Sequence, residues 1–114
     1  MTDKRRRQII DSNLRGAADI AKQAGKDFSP VEKTVVFLYL FNMLNDRSLY
    51  GRDVSEFDSH YVDEGLTFLF TGMKSLGEYP NEKRLYRICE SLTREFRSDV
   101  SDLQARADAV NRRS

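Results

Sequence analysis

Residues 29–45 of this chain read SPVEKTVVFLYLFNMLN. Ser29 can accept a hydrogen bond from an unpaired backbone N–H, Pro30 fits the first helical position, and Glu32 completes a capping box. The segment therefore predicts a helix that begins at Pro30 and runs to about Asn45. Its apolar residues fall on nearly every side of the helix, which is typical of a helix at the centre of a domain.

Helical periodicity marks the segments on either side as well. Residues 5–24 carry one apolar stripe, and Gly25 follows as a C-terminal cap. Residues 46–53 are polar and aperiodic, which predicts a loop. A third helix is expected to start between Asp53 and Ser59 and to end at Gly77. Its apolar seam consists of Val62, Leu66, Leu69, Met73 and Leu76, and Gly65 and Gly72 inside it indicate a close approach of another backbone.

The last periodic segment, residues 80–112, contains no glycine or proline after Pro80. As one helix it would span roughly 46 Å, against about 24 Å for the second helix. Its far half would then extend past the body, and an unpaired apolar seam is seldom left to water. We expect this seam to lie in a homodimer or partner interface formed by Phe96, Val100, Leu103, Ala107 and Val110.

These segments predict an all-α fold, a four-helix antiparallel bundle with a long C-terminal helix extending past the body. The 114 residues are enough for one domain and too few for two. We expect residues 1–114 to form that single domain, with residues 1–7 as a basic, flexible arm and residues 80–112 as the long C-terminal helix.

The charge balance limits the classes of partner. Nineteen basic and 18 acidic residues give a net charge of +1, which excludes a strongly polybasic chain. Residues 1–33 carry a net +3 and residues 34–77 a net −3. The run Lys4, Arg5, Arg6 and Arg7 could contact phosphates, and the last helix adds further cations, so a nucleic-acid-binding regulator is the alternative function.

The cellular location is predicted from short segments of the sequence. The apolar run 35–44 is about half of the ~20 residues that cross a bilayer, and no apolar stretch follows the basic run near the start. Cys89 is the single cysteine and cannot form an internal bridge. We therefore expect a cytoplasmic protein that does not enter a membrane.

Candidate catalytic and metal-binding groups are few. Cys89 lies on the apolar seam between Leu85 and Leu92, where an inert core cysteine belongs. Glu56, His60 and Glu64 would share one helical face, but His60 is the only histidine, and a solvated acidic helix start explains the pattern. We expect no catalytic, cofactor or metal site, and no enzymatic activity.

The remaining interpretation is a protein–protein interaction module: an adaptor, chaperone, inhibitor or regulator that acts through apolar helix faces as a homodimer. Tyrosines beside arginines are typical of protein contact surfaces. Candidate partner contacts of this kind are Tyr50, Arg52, Tyr79 and Arg84.

Overall fold

A computed structural model describes residues 1–24, 27–98, 108–110 and 112 of the chain. The described residues form four long helices and no strand, which confirms the all-α prediction. The helices are α1 (Asp3–Ala24), α2 (Pro30–Ser48), α3 (Ser59–Ser75) and α4 (Glu82–Ser98), and a short 3₁₀ turn (Val54–Glu56) precedes α3. No described helix is long and apolar enough to cross a membrane.

The start of α2 is confirmed, and its end differs from the prediction. The Glu32 N–H donates to Ser29 Oγ at 3.3 Å, and the Ser29 N–H donates to Glu32 Oε1 at 3.2 Å. The helix continues through residue 48, so the predicted loop begins too early. Ser48 Oγ donates to the Leu44 carbonyl at 2.7 Å and accepts from the Asn13 side chain at 2.8 Å. That contact with α1 holds the last turn in helical form.

Helix α1 begins earlier than predicted. The Arg5 N–H donates to Thr2 Oγ1 at 3.1 Å, and the Arg6 N–H donates to the Thr2 carbonyl at 3.0 Å. Asp3 in the first turn offsets the positive end of the helix dipole. Lys4–Arg7 therefore lie within α1, and the flexibility of residues 1–7 stays a prediction.

The core is built around α2, because α1, α3 and α4 each pack against it. Along α2 the buried apolar positions recur every three or four residues. The residues of α2 that lie in the core are Val35, Val36, Tyr39, Leu40, Met43 and Leu44. The seam predicted for α3 is buried at Val62, Leu66 and Leu69 and half-buried at Met73. Leu76 is exposed, because α3 ends at Ser75 and Gly77, at φ +80°, turns the chain away.

A buried pair of hydroxyl groups joins α2 to α4. Thr93 Oγ1 donates to the Cys89 carbonyl at 2.6 Å, so the Tyr39 hydroxyl, also at 2.6 Å, is the donor to Thr93. The Tyr39 ring lies against Gly65 of α3, where a Cβ atom would stand 3.2 Å from the ring. The predicted close backbone approach is therefore a close approach of a side-chain ring at Gly65, and it is wrong at Gly72, where a Cβ atom would meet nothing within 4 Å.

This difference predicts opposite effects for two matched substitutions. Gly72→Ala should raise the free energy of unfolding by about 0.5–1 kcal/mol, since alanine is the better helix former and the space is open. Gly65→Ala gains the same propensity but displaces the Tyr39 ring, so we expect a net loss on the order of 1 kcal/mol. Urea denaturation of both variants and the wild type measures the difference, and equal stabilities of the two variants would contradict it.

Candidate protein-docking surface

Among residues 1–24, 27–98, 108–110 and 112, no helix packs over one side of α2. Thr34, Leu38, Phe41 and Asn45 follow one another at steps of 4, 3 and 4, so they share one face. Thr34 is exposed, and Leu38, Phe41 and Asn45 are half-buried. Leu38 and Phe41 pack on the core with one edge and meet water with the other. We call this face the open side of α2.

A pocket of about 370 Å³ lies where the open side meets α3. It is lined by Asn42, Asn45, Asp46, Tyr50, Arg52, Tyr61, Glu64, Gly65 and Phe68. At its base the Tyr61 hydroxyl donates to Asp46 Oδ2 at 2.7 Å. The guanidinium of Arg52 lies over the Tyr61 ring, 5.0 Å from its centroid. The base of the pocket is thus a fixed group of a phenol, a carboxylate and a cation.

The loop after α2 puts Arg52 in place. Gly51 has φ +63°, a conformation that glycine adopts without strain, and the turn lets the Arg52 N–H donate to the Asp46 carbonyl at 2.9 Å. The Arg52 guanidinium then lies 4.0 Å from the carboxylates of both Asp46 and Glu56. Glu56 is itself positioned by accepting from the Asp53 N–H at 3.0 Å.

Burial and the bond to Asp46 both raise the pKa of Tyr61 well above its usual value. The hydroxyl therefore stays protonated and keeps donating to the carboxylate. At the next turn, a hydrogen bond from the Tyr61 N–H lowers the pKa of Asp58, the N-cap of α3. The Tyr61–Asp46 hydrogen bond therefore persists at the base of the pocket, and Asp58 lies outside it.

Two aromatic side chains at the rim of the pocket project into water. Phe68 on α3 is 75% exposed, and Tyr50 after α2 is 64% exposed. The Arg6 guanidinium donates to the Tyr50 hydroxyl at 3.2 Å and so holds that ring from α1. Phe68 has no such support, and it is the most exposed large apolar side chain within the four helices as described.

A second depression, of about 310 Å³, lies between α1 and α2. Its lining residues are Ala18, Ala21, Lys22, Lys33, Thr34 and Phe37. Small alanines form its α1 wall, and the Phe37 ring, stacked on Phe41 at 6.0 Å, forms its α2 wall. Thr34 belongs to the open side, so this depression and the pocket beside α3 open onto the same face of the molecule.

The structure brings together only half of the predicted partner contacts. Tyr50 and Arg52 lie in one pocket. Tyr79 is 76% exposed in the connection between α3 and α4. Arg84 lies over the Phe28 ring at 4.3 Å, near the start of α4.

The predicted C-terminal interface is corrected at Phe96. This side chain is 1% exposed within the single chain and packs on Phe57 with ring centroids 5.5 Å apart, so it has no surface left for a partner. Val100, Leu103 and Ala107 lie outside the described residues, and Val110 is half-buried. The predicted extension of the last helix past the body is not confirmed. Asp108 lines a cleft of about 400 Å³ beside Arg5 and Arg47.

The basic run does not form one stripe. Consecutive residues of a helix diverge by about 100°. Arg5 accordingly lines the cleft beside Arg47, Arg6 reaches Tyr50, and Arg7 lies near Leu14 on another side of α1. Nucleic-acid binding through Lys4–Arg7 stays a prediction.

The structure shows how the acidic cluster around His60 is arranged. Because α3 begins only at Ser59, Glu56 lies before it and does not share a helical face with His60 and Glu64. His60 Nε2 lies 2.9 Å from Glu64 Oε1. Among the described residues, no three potential metal ligands lie close enough to hold an ion.

Cys89 is buried, and burial raises its pKa to about 12, which disfavours the reactive thiolate.

Comparison with known proteins gives no family assignment: no family model, curated protein or solved structure matches this chain.

Tyr61, at the base of the pocket, makes the free energy of unfolding depend on pH. Its pKa in the folded protein lies above the unfolded value of about 10, so its stabilisation is complete below pH 10 and is lost as the pH rises further. The free energy of unfolding should therefore fall as the pH rises from about 10 towards about 12, and less steeply in Tyr61→Phe. Guanidinium denaturation across this range measures the slope. Tyr79→Phe is the control, because that ring is exposed; a Tyr61→Phe slope equal to the control's would contradict the prediction.

Proposed function

We propose that this chain is a non-enzymatic protein–protein interaction module that binds its partner on the open side of α2. The observation that carries the proposal is Phe68, a large apolar side chain exposed at the rim of the pocket that holds Arg52 and that reaches Asn45 on the open side. Aromatic and arginine side chains around a partly apolar surface are enriched at the centres of protein interfaces.

The helix arrangement that we propose is the antiparallel bundle. Asn13 of α1 donates to Asn45 near the end of α2, and Tyr61 at the start of α3 donates to Asp46 there as well. Arg84 at the start of α4 lies against Phe28, just before α2 begins. These contacts support α1 and α3 running opposite to α2, with α4 running along it. In that arrangement α1 and α3 border the open side as two parallel walls.

This arrangement of helices forms a shallow groove whose floor is partly apolar and partly polar. Leu38 and Phe41 offer apolar surface, and Asn42 and Asn45 offer amide groups that can donate and accept hydrogen bonds. A groove of this kind suits a helix or a helical surface of another protein, whose apolar stripe would cover the floor. The regulatory or adaptor role and the cytoplasmic location belong to the same proposal; the lone, buried Cys89 agrees with a reducing compartment.

Site-specific photo-crosslinking tests the proposal. A photoreactive benzoylphenylalanine placed at position 68, in cells that naturally make the chain, should give a discrete adduct of higher mass. The same residue placed at position 91, exposed on α4 and away from the open side, is the control and should give none. Equal crosslinking at both positions, or none at position 68, would overturn the proposed surface.

A further inference from the structure

The open side carries a projection and a depression that are complementary to each other. Phe68 projects from the α3 wall, and the depression between α1 and α2 offers an apolar wall of Ala18, Ala21 and Phe37. A cavity of about 150 Å³ is enough to accept benzene. The depression, at about 310 Å³, is therefore large enough for a phenylalanine ring.

We propose that two copies of this chain pair through their open sides, with Phe68 of each copy in the depression between α1 and α2 of the other. This inference rests on the proposed function and names the partner as a second copy. A two-fold axis that runs parallel to α2 exchanges the α1 wall and the α3 wall, so each projection faces a depression and both contacts form at once.

The two features lie at the same height along α2. Gly65 of α3 contacts the ring of Tyr39, which fixes the height of that turn. Phe68 lies three residues further along α3, about 4.5 Å nearer to the start of α2. That height is the height of Phe37, which lines the depression. Because an axis parallel to α2 leaves heights unchanged, the ring and the depression meet without any shift.

Charge supports the same pairing. Glu64 lies one turn before Phe68 and is exposed, and Lys22 and Lys33 line the depression and are exposed. When Phe68 enters the depression of the other copy, Glu64 approaches Lys22, whereas Lys33 lies one turn nearer to the start of α2 than Phe37 and is further away. The wider distribution agrees, since residues 1–33 carry a net +3 and residues 34–77 a net −3. Opposite charges then face each other on both sides of the axis.

The surface area that this pairing can bury is modest. A buried phenylalanine contributes about 150–250 Å². Two such rings with the depressions they enter bury on the order of 600–1,000 Å², the range of weak, transient interfaces. We therefore expect a dimer with a Kd in the ~micromolar range, in exchange with monomer.

Sedimentation equilibrium of the purified full chain tests the pairing. The wild type at about 100 µM should have about twice the 13.2 kDa mass of one chain. Phe68→Ala should weaken the dimer at least about 30-fold, because this ring is the central anchor. Folding is not at risk, since Phe68 is exposed in the single chain. Leu76→Ala is the matched control, because Leu76 is equally exposed but lies past the end of α3.

A charge exchange tests the orientation. Glu64→Lys should weaken the dimer about 5- to 10-fold, and so should Lys22→Glu. The chain that carries both substitutions should regain the wild-type Kd within about threefold, because each new lysine faces a new glutamate. Failure of this combination to restore pairing would overturn the proposed axis.

A monomeric wild type at 100 µM, or a dimer that Phe68→Ala leaves intact, would overturn the pairing itself. The proposed function has a separate readout. A monomeric chain whose position 68 crosslinks to a different protein retains the docking surface and loses the second copy as its occupant.

Discussion

Helix α2 is apolar around nearly its whole circumference, and its surface has to be removed from water for the chain to fold. Each fully buried side chain such as Val35, Met43 or Leu44 contributes on the order of 1.5–3 kcal/mol. Helices of equal diameter pack at about 8–10 Å, so each neighbour covers roughly 60° of a central helix. Three neighbours cover about half of α2. The half-buried state of Leu38 and Phe41 follows from that geometry and from a chain with only three other helices among its described residues.

Polar contacts set the register of the helices around α2. The Asn13 amide donates to both Asn45 and Ser48, so α1 can meet the end of α2 in one position only. The Tyr39 hydroxyl, donating to Thr93, sets α4 in the same way, and removing the Thr93 hydroxyl would leave the buried Tyr39 hydroxyl unpaired. Gly65 completes the arrangement, because its missing side chain lets α3 approach the Tyr39 ring. Burial holds the helices together, and these bonds determine how they are placed.

The sequence predicted features that depend on neighbouring residues better than features that depend on distant ones. The capping box of Ser29 and Glu32 is local, and the start of α2 is confirmed. The end of α2 depends on Asn13, 35 residues from Ser48, which no local pattern reveals. Periodicity correctly placed Phe96 on an apolar face, but it could not say that Phe57 of the same chain would cover it. Tyr50 and Arg52 were identified by composition, and their convergence with Phe68 required the turn at Gly51.

The exposure of Phe68 could be predicted from its angular position around the axis of α3. At 100° per residue it lies about 130° from the centre of the seam of α3, well outside the buried arc. Single exposed apolar side chains are common on protein surfaces and need no explanation. Neither does Phe68 help its helix, since phenylalanine is a poorer helix former than alanine. What distinguishes it from exposed Leu76 is its surroundings, because Phe68 lies at the rim of the pocket that also holds Tyr50 and Arg52. An exposed aromatic ring beside another aromatic ring and an arginine has the composition that is enriched at the centres of protein interfaces.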